Sequence, residues 1–103
     1  MNTFKRGYNT IVSQAKQNVV GFSESYSKFI ERVSIDQNSK SLITNYSRSI
    51  AAVALHFGRV PHQISVEEIN SYLYRMTTHE KQSISYFKQA VYGLRHWFRL
   101  FYL

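Results

Sequence analysis

Apolar residues recur along this chain at steps of three and four, the period of an α-helix. Residues 3–20 place Phe4, Tyr8, Ile11, Ala15 and Val19 on that period, while Gly7 and two asparagines weaken it, so the stretch predicts a weak helix or a tail. Residues 23–33 set Tyr26, Phe29, Ile30 and Val33 on one stripe and Glu24, Lys28, Glu31 and Arg32 on the other side, a short amphipathic helix. The segment IDQNSKS breaks the pattern, and Asn38 or Ser39 is suited to accept from the free amides of a new helix. That helix carries Leu42, Ile43, Tyr46, Ile50, Val53, Ala54 and Phe57 inward, and Gly58 stands where a left-handed stop is needed, with Pro61 preventing continuation.

The sequence SVEE at residues 65–68 reads as a capping box, the Ser65 hydroxyl and the Glu68 carboxylate each serving the other's amide. It opens a helix to about Met76 that buries Ile69, Leu73 and Met76, and residues 77–82 form the next connection. The last helix, about residues 83–102, is the longest and most aromatic, with Phe87, Ala90, Val91, Leu94, Trp97, Phe98 and Phe101 inward. Nothing reads as a strand. The pattern predicts an all-α bundle of four helices, with a possible fifth in an N-terminal segment at residues 1–20 ahead of one compact domain at residues 21–103.

Composition narrows the chemistry. A chain of 103 residues is sized for one core, and its fifteen Phe and Tyr with one Trp supply the apolar area. The absence of cysteine excludes a disulfide framework and thiolate chemistry. No run approaches the roughly 20 apolar residues of a membrane span, and the opening MNTFKRGYN has no signal-peptide core, so a soluble intracellular protein is expected. The histidines at 56, 62, 79 and 96 lack metal-ligand spacing, and neither metal nor cofactor is expected.

Charge changes the picture more. Thirteen Lys and Arg against six Asp and Glu give a net charge of +7 and point to a polyanion. The acids, Glu24, Glu31, Asp36, Glu67, Glu68 and Glu80, leave residues 37–66 and 81–103 without negative charge. In the last helix Lys81, Lys88, Arg95 and Arg99 follow at steps of seven, seven and four, one stripe of the cylinder, with Ser85, Gln89 and Tyr92 beside it. The earlier acid-free helix offers Ser39, Lys40, Ser41, Thr44, Asn45, Ser47 and Arg48. Two helices bearing such side chains suit duplex DNA, because a helix fits the major groove while cations hold its walls. A merely solvated face is the competing account, but solvated faces ordinarily mix both signs. The aromatic residues sit mostly at core spacing; Tyr86, Tyr92 and His96 are the exceptions.

The stretches SKSLITNYSRSIAAVALHFG, ISVEEINSYL and SISYFKQAVYGLRHWFRL, in this order and spacing, resemble the core-binding domain of tyrosine recombinases, or phage integrases, over about residues 23–103. The resemblance implies a compact four-helix orthogonal (SAM-like) bundle forming one jaw of a clamp on the core recombination site. It implies a partner, double-stranded DNA, and a bacterial or phage-encoded cytoplasmic protein. Carried over by position, Ser39, Lys40, Thr44, Asn45 and Arg48 lie on one DNA-facing helix and Ser85, Lys88, Gln89, Tyr92 and Arg95 on the other. Many members have Thr where this chain has Leu42, so the phosphate contact expected there passes to a neighbour or is missing.

In that family a separate C-terminal domain cuts DNA with Arg, Lys, a His-x-x-Arg motif and a Tyr nucleophile. The chain ends where that domain would begin, so this stretch is expected to grip without catalysis, and the partners implied are a catalytic domain and sister protomers assembled on DNA. Its one His-x-x-Arg, from His56 to Arg59, falls at a helix end, where His favours the dipole and Gly58 supplies the stop. The alternative function is a helical protein-interaction domain using Phe98, Phe101 and Tyr102 at an exposed end of the last helix. Binding to a membrane surface is disfavoured by apolar periodicity typical of a packed bundle.

Overall fold

The computed structural model describes residues 10–78 and 83–102. Among them are five α-helices and no strand: α1 (Ile11–Asn18), α2 (Phe22–Ile35), α3 (Lys40–Phe57), α4 (Val66–Thr78) and α5 (Ile84–Phe101), with a 3₁₀ turn at Pro61–Gln63. The all-α bundle with an additional N-terminal helix is the predicted architecture. Phe4 and Tyr8 lie outside the described residues.

Local chemistry sets the helix ends. Ser39 caps α3 by accepting from the Leu42 amide at 3.2 Å, and Ser83 caps α5 by accepting from the Tyr86 amide at 3.0 Å. Asn38, the other candidate cap, instead donates its side-chain amide to the Val33 carbonyl at 3.1 Å and closes the end of α2. Gly58 ends α3 at φ +70°, a left-handed conformation that glycine adopts without Cβ strain. The capping box forms as its spacing requires: the Glu68 amide donates to Ser65 Oγ at 3.1 Å and the Ser65 amide to Glu68 Oε1 at 3.2 Å. α4 reaches Thr78, two residues beyond the expected end, and the Thr77 and Thr78 hydroxyls donate back to the Tyr74 carbonyl.

α3 is the central helix. Tyr46, Ser47, Ser49, Ile50, Ala51, Val53 and Ala54 are all buried on it, and so many small side chains let α1, α2 and α5 pack around one axis. Ala15 and Val19 bring α1 into the same core as Phe22, Phe29, Ile50 and Trp97. Trp97 is wholly buried, with its ring centroid 6.0 Å from that of Phe22 and 5.3 Å from that of Phe29. A smaller cluster of Val53, Ile64, Ile69 and Leu94 seats α4, which packs chiefly on α5.

α3 and α5 cross in close contact. A Cβ built on Gly93 would stand 3.3 Å from both Cα and Cβ of Tyr46, so glycine is what lets the two backbones approach. This crossing holds the outer edges of α3 and α5 side by side.

Candidate nucleic-acid interface

Among the described residues the acids fall on the other helices, and Glu80 lies outside the described residues. Glu24 and Glu31 belong to α2, Asp36 caps its end, and Glu67 and Glu68 open α4, so α3 and α5 carry none. Between α3 and α5 lies a cleft lined by Asn45, Arg48, Ser85, Tyr86 and Gln89. Four of these, Asn45, Arg48, Ser85 and Gln89, are residues the sequence singled out from two separate segments, and the Tyr46–Gly93 crossing brings them together. Gln89 Oε1 is buried there without a hydrogen-bond partner, while Arg48 and Ser85 are exposed.

Lys88, Tyr92, Arg95 and Arg99 are exposed along the outer side of α5, at the helical spacing that keeps them on one stripe. The Arg95 guanidinium stands 5.8 Å from the centroid of the Tyr92 ring, a geometry that steadies a cation without neutralising it. The stripe is not free of carboxylate along its whole length: Arg99 shares a depression with Arg32, Asp36 and His96, and Asp36 approaches from α2. Linear spacing could not reveal that neighbour. Lys81 lies outside the described residues.

On α3, Lys40 is exposed in the first turn, and Ser39, also exposed, has its hydroxyl engaged by the Leu42 amide. Thr44 is exposed but turns away from the α5 cleft toward α1. Ser47, grouped in sequence with the polar face, is buried and accepts from the Tyr26 hydroxyl at 3.0 Å; it belongs to the core. Leu42 packs on the core, so the phosphate contact in doubt at that position is not made by its side chain. His96 is likewise a packing residue, its ring 5.2 Å from Tyr46, and burial and then the Arg99 charge lower its pKa while Asp36 opposes them.

The His56 to Arg59 motif has structural partners. Arg59 pairs with Glu68 at 3.0 Å, and the His56 ring packs against Phe57 and Tyr72. The hydrogen bond from Arg59, followed by that from the Ser65 amide, holds the Glu68 carboxyl below its usual pKa. At the C-terminal end of α5, Phe98 and Phe101 are partly buried rather than exposed. Phe101 stacks on His62 at 4.2 Å, and the exposed Tyr102 donates its hydroxyl to the His62 carbonyl at 2.6 Å. The aromatic end expected to face a partner is therefore largely spent within the molecule.

Among the described residues no helix is long and apolar enough to cross a membrane. No protein family, curated protein or solved structure compared with the chain matches it.

Proposed function

We propose that this protein grips duplex DNA through α3 and α5, as the resemblance to the core-binding domain of tyrosine recombinases implies, and contributes hold rather than strand cleavage. The observation that carries this reading is the cleft between two carboxylate-free helices, where Asn45, Arg48, Ser85 and Gln89 converge, with Lys88 and Arg95 exposed farther round α5. Amide side chains match the donor and acceptor edge of adenine and guanidinium groups match guanine or phosphate, while lysines hold the backbone. A role in DNA integration and recombination, with a catalytic domain and sister protomers as partners on the DNA, belongs to the same proposal.

Duplex binding by the Lys88→Ala, Arg95→Ala double variant tests it. Affinity should fall, and the slope of log affinity against log salt should become shallower by about two units, one per lost phosphate contact. Unchanged affinity in a folded variant overturns the reading.

A second reading, docking of a partner domain, is favoured by the apolar groove between α4 and α5. Ile69, Leu73, Val91, Leu94 and Phe98 line it together with Asn70 and Arg95, and Val66 there is 65% exposed. It predicts association that depends on protein concentration and responds little to salt.

A further inference from the structure

The first 23 residues of the chain also contain no acid, which makes α1 the third carboxylate-free helix, and it packs directly on α3. α1 meets α3 along an open cleft of about 510 Å³, lined among others by Thr10, Lys16, Tyr26, Thr44, Ser47 and Arg48. Among the described residues, Lys16 and Arg48 give this cleft two cations and no carboxylate lines it. The Lys16 ammonium lies 5.1 Å from the centroid of the Tyr26 ring, whose hydroxyl is tied to Ser47, so the aromatic ring steadies the cation at the cleft. Arg48 borders this cleft and the α3–α5 cleft alike, which makes the two parts of one surface.

We infer that α1 is part of the DNA-binding face, and that the α1–α3 cleft takes a backbone phosphate of the same duplex between Lys16 and Arg48. This rests on the proposed duplex binding and extends it to a helix outside the region of family resemblance. Charge complementarity selects the occupant: two cations, hydroxyls from Thr10 and Thr44, and no compensating acid suit a phosphodiester. Thr44, displaced from the α5 side, finds its role here.

The chain has no cysteine, so single thiols can be placed cleanly. In the full chain, Lys16→Cys, Lys88→Cys and, as a reference on α4, Tyr74→Cys are labelled with a maleimide in the presence and absence of saturating duplex DNA. Tyr74 is 66% exposed and lines neither cleft. The expected result is protection at positions 16 and 88 and none at 74, with Lys16→Ala weakening binding several-fold and making the salt slope shallower by about one unit. Protection at 88 with unchanged labelling at 16, and an unaltered slope for Lys16→Ala, overturns the inference while leaving duplex binding by α3 and α5 intact. Protection at neither position overturns both.

Discussion

His62 joins the loop after α3 to the end of α5. The indole of Trp97 donates to His62 Nδ1 at 3.0 Å, so that nitrogen carries no proton and the neutral ring holds its hydrogen on Nε2. Burial lowers the His62 pKa, and protonating Nδ1 would set N–H against N–H. The folded state therefore takes up this proton at lower pH than the unfolded chain, whose histidine titrates near 6.5. Stability from His62 is complete above about pH 6.5 and declines as pH falls toward the folded pKa; His96 acts in the same direction. Urea unfolding at pH 7.5 and 5.5 should show the loss, and His62→Gln should reduce the dependence. The fluorescence of Trp97, the sole tryptophan, reads the contact directly. Periodicity could identify Trp97 as a core residue, but His62 sits in a loop with no period, so its role emerges only when residues 62 and 97 meet.

For the helices, the sequence was most legible where the chemistry is local. Ser39, Gly58 and the Ser65–Glu68 box act within four residues of themselves, and their roles follow from spacing. Replacing Ser39 by Ala should cost about 1 kcal/mol, read as a shift in the denaturation midpoint. Legibility ended where one helix is enclosed by several. Stripe reasoning divides a helix into an inner and an outer face, whereas α3 buries Ser47 and Ser49 as well as its apolar stripe. Ser49 Oγ is buried without a hydrogen-bond partner, so Ser49→Ala removes an unsatisfied hydroxyl and improves helix propensity; it should raise stability by about 1 kcal/mol. Gly93 behaves oppositely. A larger side chain there meets the backbone of Tyr46 and must force α3 and α5 apart, so Gly93→Leu should cost about 1–3 kcal/mol. Because the same crossing aligns the two edges proposed to face DNA, that variant should also bind duplex less tightly under conditions where it remains folded.

Across the described residues, charge is sorted by helix: acids on α2 and α4, none on α1, α3 and α5. Its origin on α3 and α5 was legible as gaps between acidic residues, but the approach of Asp36 to Arg99 and the docking of α1 beside α3 are tertiary facts. They fix which cations should act together. Arg99 shares its depression with the Arg32–Asp36 pair, leaving Lys16, Lys40, Arg48, Lys88 and Arg95 as the exposed cations on the proposed face with no acid beside them among the described residues. Five phosphate contacts at about 0.9 counterions each give a salt slope of about −4 to −5, and a loss of two to three powers of ten in affinity between about 50 and 200 mM salt. The longest dimension, 41 Å, spans about 12 base pairs at 3.4 Å per step. Affinity should therefore rise with duplex length and level off near that size. Titrations of duplexes of increasing length, each at several salt concentrations, measure both quantities. A slope near −1 at every length would mean that the cations do not engage one duplex together, and the three-helix face would fail as a single binding surface.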